Sequence, residues 1–194
     1  MSACKKGVQK KVKRKLQMSF GGCGFLGVYH AGVGKCVVDH APHLFEEFKH
    51  FYGASAGAIT AVSAACMSDP MVAYKWVKKT FEASRKYTFG MLHPSFDLYS
   101  RLREFLESFL PPNAHRLSRN RVKISLTVIG DNGIPSNWLL TDFNTRKELI
   151  DVSTGVVCMC VSETIRYHFD RPSLPAVLFL SMLDSKTFPR SEGG

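Results

Sequence analysis

Ser19-Phe20-Gly21-Gly22-Cys23-Gly24-Phe25-Leu26-Gly27, followed by Phe51-Tyr52-Gly53-Ala54-Ser55-Ala56-Gly57, are the two stretches whose reading decides the fold. Each begins in a short apolar run and ends in small residues that lead into a helical pattern. Leu16 to Phe20 reads as a strand, and a helix follows over Val28 to Asp39 despite Gly32 and Gly34 within it. Phe48 to Tyr52 reads as a second strand, Gly53 to Gly57 as a tight turn, and Ala58 to Met67 as a buried helix.

Gly53-x-Ser55-x-Gly57 places a serine between small neighbours at a strand-to-helix turn. There its hydroxyl can sit at an exposed apex above a helix N-terminus that favours developing negative charge. Pattern alone also fits a bland alternative, a small-residue turn that packs a helix on a sheet. The upstream glycine loop, 31 residues before Ser55 counted from Gly24, shifts the balance. Glycines at a strand-to-helix junction let backbone N–H groups approach an anion. Beside a nucleophile, that makes Gly22, Cys23 and Gly24 a candidate oxyanion hole for acyl transfer. The same Gly-x-Gly-x-x-Gly spacing marks dinucleotide sites, which need an acid about 20 residues on, at the end of the next strand. Here Asp39 ends the first helix, Glu46 and Glu47 precede the second strand, and the serine turn stands where the ribose-binding acid belongs.

Working outward, Asp69-Pro70 is a helix start, and Val72, Trp76 and Phe81 are expected on one face of the helix it opens. Leu98, Leu102, Phe105, Leu106 and Phe109 follow a 3.6-residue period that Pro111-Pro112 ends. Val122, Ile124, Leu126 and Val128 alternate with polar residues as in a half-buried strand. Asp131-Asn132-Gly133 then turns the chain into a strand over Trp138 to Phe143. Thr145 and Glu148 form a capping box for a short helix through about Val152. Strands alternating with helices predict an α/β layered fold with a partly parallel sheet.

The formal net charge is +10 in 194 residues, but residues 1–15 hold seven Lys or Arg and no acid. Subtracting those seven leaves +3 for the remainder, so the basicity is concentrated in a tail. The tail reads as a solvated arm, or as an attachment to anionic lipid headgroups. Without a nucleic-acid module it gives no reason to expect a nucleic-acid partner. No secretory leader is evident at the start, and the longest apolar run, Ala176 to Leu183, is too short to span a bilayer. The six cysteines show neither a disulfide framework nor metal spacing. This predicts free thiols, no metal and an intracellular setting.

The run Ser19 to Gly27, then Val28-Tyr29-His30, and Phe51 to Gly57 resemble the patatin-like phospholipase domain, in particular the animal branch that includes adiponutrin and adipose triglyceride lipase. The likeness continues through Pro111-Pro112-Asn113-Ala114-His115, Val122 to Thr127 and Thr141-Asp142-Phe143, then Arg146 to Asp151. It implies a three-layer α/β fold and a Ser–Asp dyad acting on fatty-acyl esters of glycerolipids, without a catalytic histidine. In that reading Ser55 is the nucleophile, Gly22, Cys23 and Gly24 form the oxyanion hole, and Gly53 and Gly57 are the elbow glycines. The expected organisation is a basic tail over 1–15, the patatin-like domain over 16–152, and a divergent tail over 153–194.

The resemblance also implies an acid in an Asp-Gly turn well over a hundred residues after the serine, and this sequence contains no Asp-Gly pair. Asp170 lies near the right distance but is followed by Arg171-Pro172, which makes it a weak candidate acid. A Ser–His–Asp triad using His168 with Asp142 or Asp151 is a further alternative, and packing or capping is the role left for His30 and His115. A truncated or alternatively spliced chain would explain an intact front with a foreign end. The expected functions are therefore serine-dependent hydrolysis of triacylglycerol, phospholipid or retinyl esters, with transacylation as a variant, or noncatalytic attachment to a lipid surface.

Overall fold

A computed structural model describes residues 16–93, 95–129 and 135–158. Four strands, β1 (Leu16–Phe20), β2 (Phe48–Ala54), β3 (Val122–Ile129) and β4 (Pro135–Leu140), form one sheet in the order β1-β2-β3-β4. β1, β2 and β3 are parallel, with Met18 opposite Phe51 and Gly53 opposite Ile124. β4 returns antiparallel, with Leu140 opposite Ile124. The architecture is mixed α/β with a partly parallel sheet.

Among the described residues seven α-helices surround the sheet: α1 (Gly27–His40), α2 (His43–Glu47), α3 (Ala56–Ala65), α4 (Pro70–Ser84), α5 (Leu98–Phe109), α6 (Ala114–Ser118) and α7 (Arg146–Cys158). The parallel strands need crossovers, and α1 with α2 carries the chain from β1 to β2. α3 lies against β1, β2 and β3 and also touches α1, α6 and α7. Its sequence explains that position: Gly57, Ala58, Ala61 and Ala65 are buried and small, so the helix axis can approach the strands closely. The core beneath it joins Phe51, Val62, Val122 and Ile124 to Leu102, Leu106, Leu149 and Val152.

Local signals place the outer helices. The Asp69 carboxylate accepts from Met71 N at 2.8 Å at the start of α4, and Asp97 accepts from Ser100 N at 2.9 Å at the start of α5. Leu98, Leu102, Phe105 and Leu106 are buried as their period predicts, and the Phe105 ring stacks between Trp76 and Phe109. At the other end of α5, the Arg146 guanidinium donates to Leu110 O at 2.9 Å, to Pro111 O at 3.2 Å and to Glu107 O. It thus caps carbonyls that the helix leaves open.

Four expectations are corrected. Val72, Trp76 and Phe81 do not share a face: Trp76 packs inward, while Val72 and Phe81 are exposed. Successive steps of four and five residues swing Phe81 round to the side opposite Val72. The last strand ends at Leu140, and Phe143 is fully buried in the loop that follows. The capping box is offset: Thr145 Oγ1 accepts from Glu148 N at 3.0 Å, but the Glu148 carboxylate accepts from Asn144 N at 2.7 Å. The helix it opens runs past Val152 to Cys158. Buried Ser153 and Thr154 donate to the carbonyls four residues back, and Val156 and Cys158 join the core. The turn Asp131-Asn132-Gly133 and both chain tails lie outside the described residues.

Candidate active site

Ser55 is the single residue that joins the last residue of β2 to the first of α3, with φ 51° and ψ −130°. This left-handed backbone costs a non-glycine residue on the order of 1–3 kcal/mol and persists only where its surroundings hold it. Here the main chain holds it on both sides. A Cβ at Gly57 would lie 2.2 Å from Phe20 O, and one at Gly53 would lie 2.5 Å from Ala58 Cα. Only glycine permits α3 to enter this close to the ends of β1 and β2. The side chain of Ser55 is largely buried, and the N-terminal turn of α3 lies directly after it.

The glycine loop sits against this elbow. A Cβ at Gly22 would be 3.2 Å from Ser55 Cβ and 3.9 Å from its Oγ, so the loop and the serine are in contact. Gly24 has φ 52° and opens a short 3-10 turn over Gly24–Leu26 that delivers the chain into α1. Ser55, Gly22, Cys23, Gly24, Gly53 and Gly57 thus meet at one point, where two strand ends release two helices.

A cavity of about 450 Å³ opens from that point, lined by Ser55 and Gly24 and by apolar side chains such as Phe20, Phe25, Val37, Ile59 and Trp76. Its size falls within the usual range for small-molecule sites. His30 is its only titratable lining group among the described residues. The His30 Nδ1 is 3.3 Å from Thr60 Oγ1 and 3.5 Å from Cys23 Sγ, and the ring meets Phe20 edge-on. His30 therefore ties the glycine loop to α3, a bridging role that its position in the sequence did not reveal. Burial lowers the His30 pKa and raises that of the Cys23 thiol, so both are neutral at physiological pH.

No carboxylate lines the cavity among the described residues. Asp142 is 3.0 Å from the Arg119 guanidinium, Asp151 pairs with Arg103, and His115 lies on α6, so none of the three lines the cavity with Ser55. Asp170 and His168 lie outside the described residues. Among the described residues no cluster of His, Cys, Asp and Glu could hold a metal ion, and no helix is long and apolar enough to cross a membrane.

The patatin-like phospholipase family model matches residues 18–166. The chain belongs to that family. Among relatives, patatin-like phospholipase domain-containing protein 2 of Homo sapiens is 41% identical over 139 residues, 70% of this chain and 26% of that protein. The 1-acylglycerol-3-phosphate O-acyltransferase Pnpla3 of Mus musculus is 35% identical over 148 residues, 76% of this chain and 34% of that protein. This patatin-like chain thus spans about a quarter to a third of the length of those relatives. A chain of the ExoU–SpcU complex from the type III secretion system of Pseudomonas aeruginosa superposes with a TM-score of 0.49 at 15% identity, over 91% of this chain and 42% of that one. The family is one of lipid hydrolases, and the residues matched include the strained serine, the glycine loop and the cavity lining.

Proposed function

We propose that this chain is a serine-dependent acyl hydrolase of glycerolipids or similar fatty-acyl esters, with Ser55 as nucleophile. The observation that carries the reading is the strained Ser55, in contact with the Gly22 loop at one end of a 450 Å³ apolar cavity. An acyl chain fits such a cavity by burying methylene groups, each contributing about 0.8 kcal/mol. In the proposed reaction Ser55 Oγ attacks the ester carbonyl carbon, and its proton passes to a carboxylate base. The carbonyl π electrons move to oxygen, where backbone N–H groups of Gly22, Cys23 and Gly24 and the α3 N-terminus stabilise the charge. Collapse breaks the bond to the alcohol, which leaves with the proton. Water then releases the fatty acid, or a second alcohol takes the acyl group in transacylation.

Asp170 is the weak candidate for that base, placed by its distance along the chain from Ser55. No cofactor is required. A lipid droplet or membrane periphery is the matching site of action. The second reading, a noncatalytic patatin-like domain on a lipid surface, is favoured by one observation: no Asp-Gly pair occurs in the sequence, and Arg171-Pro172 follows Asp170.

Hydrolysis of a short-chain p-nitrophenyl ester, with Ser55→Ala and Asp170→Ala beside it, tests the assignment. The enzyme reading expects turnover abolished by both changes and fluorophosphonate labelling lost in Ser55→Ala. Turnover by the folded parent chain no higher than that of Ser55→Ala refutes catalysis. Turnover retained in Asp170→Ala refutes the base alone.

A further inference from the structure

α1 is apolar on nearly every side. Its sequence, Gly-Val-Tyr-His-Ala-Gly-Val-Gly-Lys-Cys-Val-Val-Asp-His, has one acid and one lysine, Asp39 and Lys35, and these pair with each other. A helix of this kind is normally buried all round, yet α1 contains no buried residue. One side, with His30, Ala31 and Val37, lines the cavity. The other presents Tyr29, Gly32, Val33 and Cys36 as an exposed stripe at i, i+3, i+4 and i+7. Tyr29 is 71% and Val33 is 53% exposed.

The stripe continues onto α4. Tyr74 joins Tyr29, Val33 and Cys36 around a shallow apolar groove, and exposed Phe81 sets its ring edge-on against Phe25, 5.3 Å away. Val33 and Phe25 also line the cavity that reaches Ser55, so the outer face and the candidate site share a wall. Lys78 lies one helical turn from both Tyr74 and Phe81, and Lys75 and Lys79 flank it, all exposed. The only acid on this helix, Glu82, pairs with Lys78 at 4.0 Å, and among the described residues Lys75 and Lys79 have no acidic partner.

We infer that the α1–α4 face, carrying Tyr29, Val33, Tyr74 and Phe81 with the lysines of α4 at its margin, is the surface that docks this chain onto an anionic bilayer. The inference rests on the lipid-ester reading of the cavity and adds the orientation from which substrate enters. Tyrosines suit the boundary between headgroups and acyl chains, aliphatic side chains suit the layer below, and lysines suit anionic headgroups. A purely apolar protein partner would leave Lys75 and Lys79 without an acidic counterpart, and an aqueous setting would leave the stripe bare.

Flotation of the whole chain with vesicles tests the assignment, using phosphatidylcholine alone and phosphatidylcholine containing about one part in four phosphatidylserine. The double change Tyr29→Ser with Tyr74→Ser is expected to lower partitioning onto both vesicles by about tenfold or more. Changing Lys75, Lys78 and Lys79 to Gln should lower it by about tenfold or more on the serine-containing vesicles only. Tyr29→Trp should raise partitioning on both, which guards against mistaking a folding defect for lost docking. The tyrosine effect should persist when the seven basic residues of 1–15 are changed to Gln. Partitioning that ignores the tyrosine and tryptophan changes, or that vanishes with the tail alone, overturns the inference. So does a self-association that the tyrosine changes dissolve, since a second copy would then be the occupant. The double variant should hydrolyse a soluble p-nitrophenyl ester at the parent rate. A parent chain that hydrolyses nothing, yet shows the expected vesicle pattern, fails the catalytic reading and leaves the docking face standing.

Discussion

Replacing Gly57 by alanine tests the close approach on which the whole site depends. The added Cβ would stand 2.2 Å from Phe20 O, 2.6 Å from Gly21 O and 2.7 Å from Phe20 C, all of them main-chain atoms. Comfortable contact needs roughly 3.5 Å, so the first turn of α3 must withdraw from β1 by about 1 Å. It cannot do so alone, because Ala58, Ala61 and Val62 follow on the same helix and are almost completely buried. Overpacking that no side chain can relieve falls at the upper end of its usual range, about 3 kcal/mol or more. For a chain of this size that lowers Tm by roughly 6–12 °C in a thermal melt. Gly22→Ala is the paired control. Its Cβ would be 3.2 Å from Ser55 Cβ, a strain that a few tenths of an ångström relieves. It should cost about 1 kcal/mol or less and leave the melt nearly unchanged. Because that methyl faces Ser55 Oγ, the same variant should lose most ester turnover. A Gly57→Ala protein melting within about 2 °C of the parent would refute the reasoning.

Two further outcomes follow from side chains. Arg146→Ala removes the donors that cap the Glu107, Leu110 and Pro111 carbonyls and should cost about 2 kcal/mol in urea unfolding. Arg146→Lys should recover less than half of that, since one ammonium cannot reproduce the guanidinium fork. The His30 imidazole has a lowered pKa in the folded chain through burial, and its Cys23 and Thr60 neighbours carry no charge at neutral pH. Below the unfolded value near 6.5 the unfolded chain therefore binds more protons than the folded one. The His30 contribution should be constant above about pH 6.5 and should fall as pH drops below it, and a His30→Gln series of urea midpoints should be flatter in that window.

Most of the elbow was legible because its signals are local. Leu16–Phe20 was placed at both ends, and Gly53, Ser55 and Gly57 carry their geometry in their own backbone requirements. The helix at Leu98–Phe109 was legible because five apolar residues keep one period and two prolines close it. The place of Phe143 is not legible in the sequence, because its burial comes from tertiary packing of a loop, which no alternation encodes. Size and apolarity group Trp76 with Phe81 in the sequence, although only Trp76 finds an aromatic stack in the core. The part played by His30 depends on Cys23 and Thr60, brought to it from two other segments, so no spacing announces it.

The carbonyls of Phe20 and Gly21 that press on Gly57 belong to the end of β1, and β1 has only one neighbour in the described sheet. The geometry of the nucleophile is thus anchored to an edge strand of that sheet. Fraying of β1 would slacken the serine and the glycine loop together, from a distance and without any change to either. Residues such as Leu16 and Met18 then act as a tensioning element: how firmly they hold to Phe48 and Phe51 governs how much of the time the elbow is fully formed.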